Sequence, residues 1–250
     1  MEMSFLREQF ISLFGARGED TLARCAAPYE APGESIEQRL AKSIDHTLLK
    51  PDADINQVRG LCEEAKAFSV ASVCVNSVFI PLVKESLEGT AVKVCSVVGF
   101  PLGAMNSEAK AYEAALAVKQ GADEIDMVIA LGYIKSGAWE RVEHDIAQVR
   151  MATSGKILKV ILETSLLTQE EKILAAFTSV LAKADFVKTS TGFANGGATL
   201  ADVSLLRVAV GKAASIKASG GIRTRQEALA FLKAGADRIG ASQTKVILGL

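Results

Sequence analysis

Lys183-Ala184-Asp185-Phe186-Val187-Lys188-Thr189-Ser190-Thr191-Gly192 joins the end of a helical pattern to a short apolar run that stops at a lysine. The junction at its head recurs as Gly121-Ala122-Asp123 and as Gly235-Ala236-Asp237. In those two a glycine closes the preceding helix, and in all three a turn aspartate leads into the next strand. Working outward, strand-like runs lie near 43–48, 71–76, 92–98, 123–129, 157–163, 185–189, 214–219 and 237–241. Helical stretches separate them, among them 54–68, 106–120, 139–153, 169–182, 199–210 and 224–234. Eight β runs alternating with helices in an α/β chain predict a (β/α)8 TIM barrel over 41–250. The competing open doubly wound sheet would place Gly-x-Gly-x-x-Gly after its first strand, and none is there.

Residues 1–40 read differently. Leu6, Phe10, Leu13 and Phe14 fall at i, i+4, i+7 and i+8, one face of a helix, and Pro28, Pro32 and Gly33 then punctuate a loop. This is an N-terminal helical extension, expected to cap the barrel or a partner; a homodimer is compatible with it.

The 250 residues fit one barrel or two smaller domains, and a net charge of -1 offers no basic footprint for nucleic acid or an anionic membrane. Cys25, Cys62, Cys74 and Cys95 form no Cys-x-x-Cys motif and read as reduced thiols of a cytoplasmic protein. Glu2, Arg7 and Glu8 interrupt any secretory h-region, and no run of ~18 apolar residues is present to span a bilayer.

Barrel sites gather at the C-terminal ends of strands. Read in order, those ends carry Asp45 and Thr47, Cys74 and Asn76, Gly99, Asp126, Glu163, Lys188 with Thr191, Lys217 with Ser219, and Ser242. Alternation along a strand puts Phe186 and Lys188 on one face, likewise Ser215, Lys217 and Ser219, and likewise Asp45 and Thr47, which turns His46 away. Two lysines and an aspartate then share the barrel mouth. A single strand-end lysine is ordinarily a snorkelling surface residue, but two on neighbouring strands, each before glycines, point to imine chemistry. Asp126 could be a solvated strand residue; its neighbours Ile125, Met127 and Val128 favour burial against a cation. Cys74 reads as a small core residue, and His46 and His144 are too few for a zinc site. Gly220-Gly221 after the seventh strand and Gly240-Ala241-Ser242 after the eighth suit a phosphate, with Gly196-Gly197 extending the cradle.

Asp45-His46-Thr47-Leu48-Leu49-Lys50-Pro51, Cys74-Val75-Asn76, Val97-Val98-Gly99-Phe100-Pro101-Leu102-Gly103, Glu124-Ile125-Asp126-Met127-Val128-Ile129, Val187-Lys188-Thr189-Ser190-Thr191-Gly192 and Lys217-Ala218-Ser219-Gly220-Gly221-Ile222-Arg223 together resemble the deoxyribose-phosphate aldolase family. The resemblance runs in order from about 43 to 242. It implies a class I aldolase, without cofactor or metal, that reversibly cleaves 2-deoxy-D-ribose 5-phosphate to D-glyceraldehyde 3-phosphate and acetaldehyde. By the family's motif Lys188 is the Schiff-base lysine, Asp126 the proton-relay acid and base, and Lys217 the partner that perturbs Lys188. Asp45 and Thr47 match first-strand active-site positions. Thr191, Gly192, Gly220, Gly221, Gly240 and Ser242 complete the expected substrate-binding set. The chain departs from the family's pattern at Ala130, at Gln243, and in having its last tyrosine at Tyr133. Those differences bear on rate and substrate breadth. A phosphosugar isomerase or epimerase would share barrel and phosphate site but would use a carboxylate or histidine base. A barrel that merely binds phosphosugars would have no need of Lys188 or Asp126.

Overall fold

The computed structural model describes residues 3–30 and 33–250. Pro32, placed by the sequence reading in the loop after the extension, lies outside the described residues, as does Glu2. In chain order the helices of the first segment are α1 (Met3–Phe14), α2 (Ala16–Cys25) and the short α3 (Ile36–Arg39). There follow β1 (Ile44–Leu48), α4 (Ile55–Phe68), β2 (Ser72–Val75), α5 (Ile80–Ser86), β3 (Lys93–Val98), α6 (Ser107–Gln120) and β4 (Glu124–Val128). The second half runs α7 (Leu131–Lys135), α8 (Trp139–Ala152), β5 (Ile157–Ile161), α9 (Gln169–Leu181), β6 (Phe186–Lys188), α10 (Leu200–Val210), β7 (Ser215–Ser219), α11 (Arg225–Lys233), β8 (Arg238–Ala241) and α12 (Thr244–Leu248). The strands close in sequence order, each parallel to the next, with β8 pairing back to β1. The (β/α)8 barrel is as the alternation predicts. The helix Ile80–Ser86 between the second and third strands is an addition; its seven residues, with Pro81 in the first turn, are too short for a clear 3.6-residue period.

The wall of the barrel separates two apolar regions. Outward side chains such as Val73, Val75, Ile125, Met127, Leu158, Val160, Val187, Ile216 and Ile239 are buried against the helices in one continuous core. Inside the barrel only Leu49, Cys74, Cys95 and Val97, with Phe100 beside them, form an apolar cluster. Much of the remaining interior is charged or polar, where barrels ordinarily stack branched aliphatic residues.

The recurring junction has a common geometry. Gly121 and Gly235 sit at φ 115° and 110°, and Lys183 takes the same left-handed region at φ 63° despite its side chain. The aspartate that follows each is a clamp. Asp123 Oδ2 accepts from Val94 N (3.1 Å), Asp185 Oδ2 from Leu158 N (2.8 Å) and Asp237 Oδ2 from Ile216 N (2.8 Å), in each case from the preceding strand. A cation sits on each: Lys156, Arg150 and Arg207 respectively.

The first segment packs on the barrel's helices. α1 breaks from α2 at Gly15 (φ 55°, ψ -137°), and Leu6, Phe10 and Phe14 are buried as their spacing predicts, with Leu13 partly buried. Phe10 stacks at 5.4 Å on Phe177 of α9, a helix buried from Ile173 to Leu181 because these residues cover its outer side. Farther along, Tyr29 donates to Asp237 (3.0 Å) under the Arg207 guanidinium, 3.9 Å from its ring. No helix among the described residues is long and apolar enough to cross a membrane.

Candidate active site

Seven charged side chains from six strands converge inside the barrel. β4 contributes Glu124 and Asp126, β1 Asp45, β5 Lys159, β6 Lys188, β7 Lys217 and β8 Arg238. Asp126 is the hub. Its Oδ2 accepts from Lys188 Nζ (2.7 Å) and Lys217 Nζ (2.7 Å), and its Oδ1 from Lys159 Nζ (2.9 Å) and Cys95 Sγ (3.2 Å). Lys217 also meets Asp45 at 2.6 Å, Arg238 bridges Asp45 and Glu124, and Lys159 is bound closely by Glu124. Ser72 donates to Asp45 (2.7 Å).

The electrostatics follow from this packing. Burial alone would push Asp126 up, but the Lys159, Lys188 and Lys217 charges overcome it and hold the carboxyl well below the usual carboxylate range. Burial acts against Asp45 likewise, and Lys217, Arg238 and Lys159 bring it below that range. Burial would drive Lys217 and Lys159 toward the neutral amine; the carboxylates around them win, and both are raised above the ordinary lysine value.

Charge counting singles out one residue. Three carboxylates (Asp45, Glu124, Asp126) face four cations (Lys159, Lys188, Lys217, Arg238). Arg238, Lys159 and Lys217 each contact at least two carboxylates, whereas Lys188 contacts Asp126 alone. Of the four cations, Lys188 is therefore the one with the fewest carboxylate partners.

Lys188 is also the member of the network that lines a cavity. That cavity, of about 310 Å³, opens at the C-terminal ends of the strands and is walled by Thr47, Lys50, Lys188, Thr191, Gly192, Phe193, Gly220, Gly221, Arg223, Gly240 and Ser242, among others. Thr47, Thr191, Gly192, Gly220, Gly221, Gly240 and Ser242 are therefore brought together where the sequence reading expects them. Asp45 is not: its carboxylate turns below the cavity toward Lys217 and Arg238. Thr191 is pinned by Glu163, whose Oε2 accepts from both its N–H and its hydroxyl, with Glu163 itself in left-handed backbone at φ 55°. Phe193 stands edge-on to Phe100 at 5.2 Å.

Gly196-Gly197 do not extend the cradle. A Cβ on Gly197 would come within 2.3 Å of Gly220 O, so that glycine serves close backbone packing of the β6–α10 loop on the β7–α11 loop. Gly240 has a second duty, since a Cβ there would lie 2.8 Å from Ser219 Cβ and 3.1 Å from Lys217 Cε. α12 spans only five residues, beginning at Thr244, so an anion at this end of the barrel would meet backbone N–H groups of the loops more than a helix terminus. His46, turned outward as predicted, ties Glu64 (3.1 Å) to Thr244 (2.7 Å).

Sequence reasoning missed Lys159, Glu124 and Arg238, and also Lys50 and Arg223 at the cavity rim. The alternation that selects Asp126 also selects Glu124 two residues before it, Lys159 between Leu158 and Val160, and Arg238 two before Gly240. For Lys50 and Arg223, on loops, no periodicity gives a signal.

Cys74, Cys95 and Asp126 bring ligand atoms within 4.8 Å of one another, the one such grouping among the described residues. The donor set does not suit a divalent cation: Asp126 already faces three lysines, and burial pushes the Cys95 thiol well up. A larger groove of about 990 Å³ between α2 and α8 is lined by Arg17, Arg24 and Arg150, each paired to an acidic neighbour, and lies apart from the network.

The sequence model of the DeoC/LacD family aldolases matches residues 39–248. The deoxyribose-phosphate aldolase of Finegoldia magna is 56% identical over 211 residues, which cover 84% of this chain and 99% of that one. That of Streptococcus gordonii is 54% identical over 210 residues, covering 84% and 96%. Among solved structures, the tetrameric deoxyribose phosphate aldolase of Aeropyrum pernix superposes with a TM-score of 0.79 at 32% identity, covering 100% of this chain and 97% of that chain. An aldolase designated QR15 gives a TM-score of 0.81 at 37% identity over 84% of this chain and 94% of that one.

Proposed function

The chain belongs to the DeoC/LacD family of aldolases, and from that premise we propose that the cavity above Asp126 performs the family's Schiff-base chemistry with Lys188 as the amine. The protein is a deoxyribose-phosphate aldolase of class I, acting on 2-deoxy-D-ribose 5-phosphate to give D-glyceraldehyde 3-phosphate and acetaldehyde. The observation that carries the assignment of Lys188 is its place: of the network's four cations it alone lines the cavity, and it alone has a single carboxylate partner.

The geometry supports the following steps. Lys188 Nζ, having yielded a proton, attacks C1 of the open-chain sugar, and loss of water gives the iminium. Asp126, 2.7 Å from Nζ, carries the protons of that exchange and balances the iminium charge. Asp126 then takes the C3 hydroxyl proton, directly or through solvent, the C2–C3 bond breaks into the iminium, and D-glyceraldehyde 3-phosphate departs. The enamine left on Lys188 receives a proton at C2 from the now protonated Asp126, and water releases acetaldehyde. Lys217, held as a cation by Asp126 and Asp45, restores the ionised form of Asp126 between transfers. Asp45 acts through Lys217, not on the substrate.

The 5-phosphate belongs against Gly192, Gly220, Gly221, Gly240 and Ser242, with Lys50 and Arg223 as its counter-charges and Thr47 and Thr191 over the sugar. The division into an extension over 1–40 and a barrel over 41–250 is part of the same reading; the family match beginning at residue 39 supports it. A cytoplasmic location and a homodimer are its remaining elements, testable by fractionation and light scattering.

Borohydride reduction in the presence of acetaldehyde tests the centre of this proposal. Mass spectrometry should find the reduced adduct on the peptide bearing Lys188. An adduct confined to another lysine would overturn the assignment.

A further inference from the structure

We propose that Lys159, which does not reach the cavity, is a positioning residue for the reaction: from beneath, it holds Oδ1 of Asp126 so that Oδ2 alone faces Lys188 and Lys217. The inference rests on the reading of Asp126 as the proton carrier beside Lys188. Asp126 and Lys159 are register partners on β4 and β5, with Nζ 2.9 Å from Oδ1. Lys159 is fully buried, bound by Glu124 and capped at 5.9 Å by the Phe186 ring, so it has little freedom to leave. Cys95 Sγ supports the same oxygen at 3.2 Å. The two oxygens are thus divided, one anchored to the barrel floor and one presented to the chemistry.

A carboxylate held by one oxygen cannot rotate to offer the other, so every proton it exchanges passes through Oδ2. Everything charged or titratable packed around Asp126 belongs to one shell: Asp45 on β1, Cys74 on β2, Cys95 on β3, Glu124 on its own strand, Lys159, Lys188, Lys217, and Arg238 on β8. Within it, burial raises Asp126 and Lys159 is foremost among the charges that overcome it. Removing Lys159 therefore returns protons to Asp126 at a higher pH, and the base form that turnover needs is lost earlier on acidification.

The test is the pH profile of Lys159→Met, measured with the intact chain on deoxyribose 5-phosphate. The acid limb of kcat should move upward, so that kcat in mildly acid buffer, relative to its own value at neutral pH, falls severalfold more in the variant than in the parent. KM should stay within roughly twofold, because the phosphate loops are untouched. Lys159→Met leaves Glu124 with one cation fewer, so Glu124→Gln/Lys159→Met removes the pair together and should show the same displaced limb. A merely structural role would lower the melting temperature and leave the limb in place, which would overturn the proposal; so would failure of both variants to fold. Borohydride trapping on the parent enzyme separates the two readings. Without an adduct on Lys188 the underlying mechanism falls; with one, an unmoved limb in the variants sinks Lys159 alone.

Discussion

A phosphate dianion needs both donors and counter-charge, and at the scale of single residues the cavity rim offers both. Glycines at 192, 220, 221 and 240 let backbone come close, while Lys50 and Arg223 line the same cavity with no side-chain ion pair to a carboxylate among the described residues. Ser242 lies among them, which makes it a sensitive place to add a negative charge. Ser242→Glu should raise KM for deoxyribose 5-phosphate by roughly tenfold or more, about 1.4 kcal/mol of like-charge repulsion. Unphosphorylated deoxyribose should lose much less. Equal losses for the two sugars, compared in the same steady-state assay, would place the phosphate elsewhere. The residue scale is also where sequence reading was most uneven. Lys188, Lys217 and Asp126 were legible because each interrupts an apolar run in a fixed period. Asp45 was legible as inward-facing but not as a residue below the cavity, since depth within a barrel depends on strand stagger.

At the scale of elements, the three helix-to-strand junctions are one device used three times. An aspartate at the foot of β4, β6 or β8 accepts the N–H of a residue on the strand before it, and so ties consecutive strands at the bottom of the barrel. The sequence showed the repeat and its turn character, and the left-handed residue before it was evident where glycine stands. It was hidden at Lys183, where a non-glycine takes that conformation. The inter-strand clamp could not be read, because it joins residues 27 apart in the Asp185–Leu158 case and needs the fold to bring them together. Asp185→Ala leaves Leu158 N without that acceptor and Arg150 without its carboxylate, though still bound to backbone carbonyls. Denaturant unfolding should show a loss of about 1–3 kcal/mol. The clamp is at the opposite end of β6 from Lys188, so kcat should be unchanged; a large fall in kcat without loss of stability would contradict the clamp role.

Across the whole molecule, the interior charge network sets how stability depends on pH. Asp45 and Asp126 have folded-state values below their unfolded ones, so their contribution is present above the ordinary carboxylate range and is lost as pH falls toward the folded values. Lys159 and Lys217 are raised, so theirs is present below the ordinary lysine value and fades only as pH rises past it. Melting temperature should therefore hold a plateau from about pH 5 to about pH 10, falling on both sides. Calorimetry showing a steady slope across neutral pH would mean that other groups dominate. The barrel itself was legible in the alternation of strands and helices. The helix face of Leu6, Phe10, Leu13 and Phe14 was legible, but not how the segment seats, which depends on Phe10 meeting Phe177 and Tyr29 meeting Arg207 across the chain. The network also constrains how the chain is born. Asp45, Glu124 and Asp126 precede Lys188, Lys217 and Arg238 along the chain, so a fragment ending after β5 would hold three carboxylates against Lys159 alone and is expected to resist closing until β6, β7 and β8 supply the matching cations.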